Sequence, residues 1–264
     1  NFRQGHTEAT VELMEMAGLE KVGMICEIMK EDGTMSRRTD LQKLSKNHNI
    51  KLISIEQILE YKNKKEKQLK LITIIDLPTK FGEFKLYTFQ NNLKEYHLAI
   101  IKGDITGRDS VLTRIHSECL TGDVFGSDKC DCGSQLEESM KLIEENGAGI
   151  ILYMKQEGRG IGLIEKIKAY KLQEEGMDTV EANIHLGHEA DSRSYDDCAQ
   201  ILTLLDVDTV ELMTNNPDKI KSLEENKIKV IKRKPLDVGY NKSNYNYLLT
   251  KKNKFNHFIM SDLH

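Results

Sequence analysis

Three of the five cysteines in this chain, Cys119, Cys130 and Cys132, lie within one span of 14 residues. Thiolates are strong zinc ligands, and two cysteines two residues apart on a turn can both reach one ion while a third arrives from a strand end. No fourth cysteine or histidine follows at zinc-ribbon spacing. Three protein ligands with one open position are typical of catalytic zinc sites. This segment is therefore constrained to fold so that all three thiols meet.

Two other interpretations of the cluster remain open at this point. The cysteines could be buried without a metal, or they could form a closed structural zinc site with His116 or Asp131 as the fourth ligand. The odd number of cysteines and the absence of a secretion signal favour a reducing, cytoplasmic environment over a disulfide framework.

Composition excludes several classes of protein. The 264 residues suffice for one large domain or two moderate ones, with 39% apolar and 30% charged residues. The net charge is −4, and basic residues are mostly interleaved with acids, so we expect no nucleic-acid partner. No run of 18 apolar residues occurs, so we expect no membrane span. The chain begins with Asn1, which suggests a fragment of a longer protein.

A polar, basic stretch at residues 61–70, YKNKKEKQLK, predicts a domain boundary. We therefore expect one domain at residues 1–62, a charged linker at 63–71 and a second domain at 72–264. Hydrophobic periodicity in the first domain predicts three helices and two strands. The helices are expected at residues 7–17, 40–47 and 56–62, and the strands at 22–29 and 51–55.

The spacing of apolar residues changes along the second domain. Its first strands are expected to form an antiparallel arrangement, and helices then alternate with strands. The predicted strands are residues 84–89, 98–102, 111–116, 150–154, 209–213 and 227–231. The predicted helices are residues 135–145, 162–175, one around 198–205 and one that opens at 216–217. The expected fold class is α/β (α+β), a mixed sheet with flanking helices preceded by a partial α/β domain.

Four segments of the second domain resemble the motifs of GTP cyclohydrolase II. They are RIHSECLTGDVFGSDKCDCGSQL (114–136), YMKQEGRGIGLIEKIKAYKLQEEGMDTVEAN (153–183), DSRSYDDCAQIL (191–202) and MTNNPDKI (213–220). Residues 1–62 resemble something else, the C-terminal part of 3,4-dihydroxy-2-butanone 4-phosphate synthase, through RQGHTEATVELMEMAGL and GMICEIMKEDGTMSR. The two enzymes occur fused, in this order, in bifunctional riboflavin-biosynthesis proteins.

The resemblance implies zinc-dependent hydrolysis of GTP to 2,5-diamino-6-ribosylamino-4(3H)-pyrimidinone 5′-phosphate, formate and pyrophosphate. It assigns the three clustered cysteines as zinc ligands, and Mg²⁺ is expected with the triphosphate. It also implies a cytoplasmic homodimer. The implied nucleotide-binding residues are Arg114, Ile115, His116, Ser117, Glu118, Gln135, Glu157, Gly158, Arg159, Thr179, Thr214 and Lys219.

Three further residues are implied to be catalytic. Tyr170 would orient or protonate the opening ring, and Asp191 would accept a proton. Arg193 would act as a nucleophile on the α-phosphorus, or it would stabilise the charge of the leaving pyrophosphate. Arginine's pKa above 12 makes a neutral guanidine costly, so both roles stay open.

In the first domain, the resemblance implies a metal-binding His6, phosphate contacts from Arg3 and Thr7, and a catalytic or substrate-binding Glu27. The acidic loop that would supply the other metal ligands is not in the sequence, so we expect no synthase activity.

Two rival functions stay open for the chain. One is a zinc-stabilised binding module, and the other is an enzyme that stops at GMP and pyrophosphate or at a formylated intermediate.

Overall fold

The computed structural model describes residues 5–66 and 68–259. The chain divides between Gln68 and Leu69 into two compact units. The predicted linker, residues 63–71, has regular structure on both sides of this division: a helix continues to Glu66 and a strand begins at Lys70. Lys and Glu are good helix formers, so a basic stretch of this composition prolongs the helix.

The first unit contains three helices, α1 (His6–Met16), α2 (Arg38–His48) and α3 (Ile55–Glu66). Lys62 of α3 pairs with Glu12 of α1, with 2.5 Å between Nζ and Oε1. These three helices confirm the helical periodicity of this part of the sequence.

The two strands predicted in this unit, residues 22–29 and 51–55, are wrong. Residues 22–29 are exposed, and their pairing within the described chain is one isolated bridge between Met29 and Met35. A strand requires a neighbour that bonds its N–H and C=O groups, and apolar composition alone does not supply one. Cys26, which lies in this segment, is exposed as well.

The second unit is built on one seven-stranded sheet in the order β1–β2–β3–β5–β4–β6–β7. The strands are β1 (Lys70–Thr79), β2 (Gly82–Gln90), β3 (Tyr96–Lys102), β4 (Val111–Ser117), β5 (Gly149–Met154), β6 (Thr209–Met213) and β7 (Lys229–Lys234). β1, β2, β3 and β5 are antiparallel neighbours, whereas β5, β4, β6 and β7 are parallel. The predicted mixed sheet with flanking helices is therefore confirmed, but β4 does not continue the antiparallel arrangement.

Helices cover both faces of this sheet. The helices of the second unit are α4 (Leu120–Asp123), α5 (Cys132–Asn146), α6 (Leu163–Glu174), α7 (Thr179–His185), α8 (Asp196–Leu204), α9 (Pro217–Glu225) and α10 (Tyr245–Phe255). Met140 and Ile143 of α5 pack in the core on one face, and Ile201 of α8 and Leu223 of α9 pack in the core on the other. Gly147 ends α5 with φ 73°, and the Asn216 side chain caps α9, the helix predicted to open at residues 216–217.

Four elements, β1, α4, α7 and α10, were not predicted. β1 is the edge strand, and its residues Leu71, Ile72, Ile74 and Ile75 are all exposed. Its continuous apolar sequence lacks the alternation of a half-buried strand, and Pro78 is tolerated because an edge strand need not use every N–H group.

None of the helices in residues 5–66 and 68–259 has the length and apolar character that crossing a membrane requires.

Candidate active site

A crevice opens where the parallel strands end. The helix that follows β4 packs on one face of the sheet and the helix that follows β6 packs on the other, although β4 and β6 are adjacent. The chain therefore leaves the two strands in opposite directions, which creates a ligand-binding crevice at their carboxyl ends. Arg114 bridges the two strands by donating from Nη1 to the carbonyl of Met213 at 3.0 Å.

The three cysteine sulfurs meet at the entrance to this crevice. Cys119 follows β4 directly, Cys130 lies in the turn before α5, and Cys132 is the first residue of α5. Their sulfur atoms all lie within 4.8 Å of one another, and Cys119 and Cys130 are 3.6 Å apart. Contacts with the sulfurs of Cys119 and Cys130, together with burial, raise the pKa of Cys132 well above its usual value.

Glycine is required beneath these sulfurs. A Cβ atom on Gly122 would lie 2.9 Å from the sulfur of Cys130 and 3.2 Å from that of Cys119. A Cβ atom on Gly133 would lie 2.3 Å from the carbonyl oxygen of Gly122. The two glycines thus let α4 and the start of α5 approach closely enough for the thiols to converge.

The thiols differ in charge because of their surroundings. Hydrogen bonds from Cys130 and Cys132 lower the pKa of Cys119, and the nearby Lys166 ammonium, 3.1 Å from its sulfur, lowers it further. The contact with Cys119 in turn raises the pKa of Cys130 to about 11. One thiol of the set is therefore already favoured as the anion before any metal binds.

The donor set fits a zinc ion with three thiolate ligands. Within the described chain, the sulfurs form the one group of three or more potential metal ligands. Neither candidate for a fourth ligand belongs to the group of sulfurs, although Nδ1 of His116 is buried without a hydrogen-bond partner. His116 Nε2 lies 3.0 Å from Oδ1 of Asp123, and the Asp131 carboxylate accepts from Lys251 and Gln135 at 2.5 and 2.7 Å. The geometry therefore favours the open arrangement over the closed one.

Buried cations line the crevice without compensating acids. Lys219 donates to the carbonyl of Ile115 at 2.9 Å, and no ion pair joins it to a carboxylate in the described residues. Burial lowers the pKa of Lys219, and the positive charges of Arg114 and Arg193 lower it further. Nε of Arg114 and Nη1 of Arg159 are also buried without a hydrogen-bond partner. Such unsatisfied cationic groups indicate a site for an anion.

Arg193 and Asp191 form a tight ion pair. Asp191 Oδ1 accepts from Nε of Arg193 at 2.9 Å, and Oδ2 accepts from Nη2 at 2.5 Å. Burial opposes ionisation of both groups, but their mutual contact lowers the pKa of Asp191 and, with Tyr195, raises that of Arg193. The pair is therefore ionised, with the guanidinium held in a fixed orientation.

Tyr170 lies on α6, on the side that faces the cysteines. Burial raises its pKa to about 12, although the ammonium of Lys166 opposes that effect. The Nζ atom of Lys166 is 5.5 Å from the centroid of the tyrosine ring. The phenol therefore keeps its proton at neutral pH and can donate it.

Most of the predicted site residues of the second unit line this one crevice. They are Arg114, His116, Ser117, Glu118, Cys119, Cys130, Cys132, Gln135, Glu157, Gly158, Arg159, Tyr170, Thr179, Arg193, Thr214 and Lys219. Their contacts with GTP stay predictions. Ile115 does not line it, because its side chain is fully buried in the hydrophobic core. Asp191 reaches the crevice only through Arg193, and both oxygens of Glu157 are already bound by protein donors.

Sequence reasoning missed one wall of the crevice. Tyr247, Lys251 and Phe255 line it from α10, and His257 and Ile259 line it from the segment that follows. Only the i, i+4, i+8 spacing of the three α10 residues could have indicated a shared face. Burial lowers the pKa of His257 to about 2.

The residues assigned to a synthase site are not assembled into one. Arg3 lies outside the described residues. His6, Thr7 and Glu27 are exposed, and no group of three or more potential metal ligands includes them.

The fold and the crevice define an α/β protein with three cysteines that could hold a metal ion, beside a crevice lined with basic side chains. The chain belongs to the GTP cyclohydrolase II family, whose model matches residues 70–235. The model for 3,4-dihydroxy-2-butanone 4-phosphate synthase matches residues 1–61.

Curated relatives share both parts. The chain is 49% identical to the riboflavin biosynthesis protein RibBA of Endomicrobium trichonymphae, and 50% identical to that of Bacillus cytotoxicus. Each match covers 97% of this chain, which spans 64% and 65% of the respective relatives. A crystal structure of RibBX, a two-domain 3,4-dihydroxy-2-butanone 4-phosphate synthase from A. baumannii, matches 89% of this chain and 60% of its own at 25% identity, with a TM-score of 0.39.

The close packing under the sulfurs predicts the effect of one methyl group. In Gly122→Ala, the added Cβ atom must displace Cys130 or Cys119, so we expect the purified variant to carry less than half the zinc of the parent. Val124→Ala is the control, because Val124 is exposed and follows α4 directly. Zinc per chain is measured by inductively coupled plasma mass spectrometry. A full zinc content in Gly122→Ala would show that the thiols do not converge as described.

Proposed function

We propose that the second unit opens the imidazole ring of GTP and releases formate and pyrophosphate, leaving 2,5-diamino-6-ribosylamino-4(3H)-pyrimidinone 5′-phosphate. The observation that carries this proposal is the placement of three converging thiols in the wall of a crevice lined with buried, uncompensated cations. A metal centre suits attack on the ring, and the cations suit a triphosphate. The family to which the chain belongs supports the same assignment.

Cys119, Cys130 and Cys132 would hold the zinc ion. An ion with three thiolate ligands and one open position lowers the pKa of water towards 7, and this is the chemistry it supplies when bound. The protein contributes the fixed separation of the sulfurs and the low-dielectric wall around them.

The triphosphate would lie among the unpaired cations. Arg114 is buried in the middle of β4, Lys219 is buried in the first turn of α9, and Arg159 has an Nη1 atom without a hydrogen-bond partner. Planar guanidinium groups can bind two phosphate oxygens at once. We expect Mg²⁺ to accompany the nucleotide, because it offsets phosphate charge and prefers oxygen ligands.

Tyr170 would donate a proton to the opening ring. Its raised pKa keeps the hydroxyl protonated, and its position on α6 brings it towards the cysteine cluster. A general acid must be protonated at the working pH and within hydrogen-bond reach of the atom that receives the proton.

Arg193 would act as a cation that stabilises the departing pyrophosphate. A covalent attack on phosphorus requires a neutral guanidine, whereas the ion pair with Asp191 stabilises the charged form. Asp191 would orient the guanidinium rather than accept a proton, since its oxygens are already bonded to Arg193.

We further propose a cytoplasmic homodimer with GTP as substrate. The longer relatives carry both domains, so the parent protein would also make 3,4-dihydroxy-2-butanone 4-phosphate from ribulose 5-phosphate. Residues 1–62 alone would not, because residues 5–62, the described part of this segment, contain no group of carboxylates that could form such a magnesium site.

The first prediction tests the metal and the product together. Cys130→Ser replaces a soft thiolate with a hydroxyl that does not ionise readily, so zinc content should fall and formate release should drop by at least about 100-fold. Cys198→Ser is the matched control, because Cys198 is buried in the core away from the crevice. Mass spectrometry of the product from GTP, with zinc and magnesium present, identifies the reaction. Formation of GMP alone in the parent would contradict ring opening.

The second prediction separates the two half-reactions. Tyr170→Phe removes the acidic hydroxyl but keeps the ring, so formate release should fall by about 10²–10⁴-fold while GTP still binds. Arg193→Ala should abolish pyrophosphate release, because charge on the leaving group is no longer stabilised. Arg193→Lys keeps the positive charge but lacks the planar guanidinium group. If this variant is as active as the parent, the proposal that the reaction requires an arginine at position 193 is wrong. Formate and pyrophosphate are quantified separately in single-turnover reactions.

The third prediction concerns the first unit. Incubated with ribulose 5-phosphate and magnesium, this chain should release no formate above the level of a His6→Ala variant. One imidazole cannot hold Mg²⁺, a hard cation that prefers oxygen. GTP cyclohydrolase activity, measured in the same preparation, confirms that the chain is folded. Turnover of ribulose 5-phosphate that disappears in His6→Ala would overturn the prediction.

A further inference from the structure

Lys166 is a buried lysine that makes three side-chain contacts beside the cysteine cluster. It lies on α6, and 9% of its side chain is exposed. Its Nζ atom donates to Sγ of Cys119 at 3.1 Å, to Oγ1 of Thr121 at 3.0 Å and to Oε1 of Glu157 at 2.8 Å. An ammonium group has three donors, so all of them are in use.

Glu157 fixes this lysine to the segment that follows the first cysteine. Its Oε2 atom accepts from the backbone N–H of Leu120 at 2.7 Å, and its Oε1 atom accepts from the N–H of Gly158 at 2.9 Å. Gly158 has a positive φ of 63°, and a Cβ atom there would lie 3.0 Å from Cβ of Lys166. The turn at residues 157–160 is thus shaped to pack against Lys166.

The charge of the metal centre requires such a cation. Three thiolates around a divalent ion carry one net negative charge, and burial makes an uncompensated charge costly. Within the described chain, Lys166 is the cation hydrogen-bonded to a sulfur of the cluster. Groups that contact metal ligands from outside orient them and tune the affinity of the site.

We propose that Lys166 is a positioning residue of the metal centre, an inference that rests on the proposed zinc site. Its ammonium holds the Cys119 sulfur in place and offsets the negative charge of the three thiolates. Because Lys166 and Tyr170 are one turn apart on α6, the same contact also sets the position of the tyrosine ring relative to the metal. Lys166 also lines the crevice, but its three donors are used within the protein.

The experiment compares zinc affinity in three variants by competition with a chromophoric chelator. Lys166→Met keeps the length of the side chain and removes the charge, so zinc affinity should fall by about 10–100-fold. Lys166→Arg retains the charge and should recover most of that loss. Lys168→Met makes the same change at an exposed position of α6 and should match the parent; Lys168 pairs with Glu165, with 2.7 Å between Nζ and Oε1.

Cobalt substitution reports on the sulfurs directly. The thiolate-to-cobalt charge-transfer band of Lys166→Met should shift relative to the parent, because the Cys119 sulfur loses its hydrogen bond, while Lys168→Met leaves it unchanged. If Lys166→Met binds zinc within twofold of the parent and shows the parent spectrum, the proposal is wrong, whether or not activity falls. A parent chain that binds no zinc would instead overturn the proposed function and this inference with it. Each lysine variant is first shown to be folded by a circular dichroism spectrum that matches the parent's. Lys166→Arg is the second variant at position 166, for the case in which Lys166→Met does not fold.

Discussion

The convergence of three sulfur atoms is the constraint on which the second unit depends. It requires one thiol directly after β4 and two at the start of α5, and it requires glycine at positions 122 and 133 so that these segments can touch. It also requires positive charge, which the amino terminus of α5 and the ammonium of Lys166 supply. This meeting point constrains how closely α4 and the start of α5 approach each other.

The cationic crevice is the second consequence of the same topology. Arg114 and Lys219 are held where the chain leaves β4 and β6 on opposite faces of the sheet, and neither has a carboxylate partner among the described residues. Burying cations without partners costs stability. An anionic nucleotide that binds there offsets this cost, so ligand binding and folding stability are coupled in this unit.

Much of this site could be read from the sequence because its motifs are local. The cysteine spacing, the glycine-rich turn at 157–160 and the cap at Asn216 each specify their own geometry. What the sequence could not show depends on distant contacts. The parallel orientation of β4 follows from its neighbours, and the exposed strand β1 and the segment after Phe255 acquire their roles only when the sheet has formed. Residues 22–29 have the apolar pattern of a strand but form no strand, because their pairing within the described chain is limited to one isolated bridge.

One wall of the crevice comes from residues 245–259, which lie beyond the segment matched by the family model. In the order of synthesis on the ribosome, the cysteines, the sheet and the cations all precede this wall. The crevice is therefore open on one side in a nascent chain until α10 and the segment after it emerge. The newly made protein can therefore bind a ligand in the complete crevice only after residues 245–259 have packed against the sheet. These residues thus affect when the site matures as well as its final form.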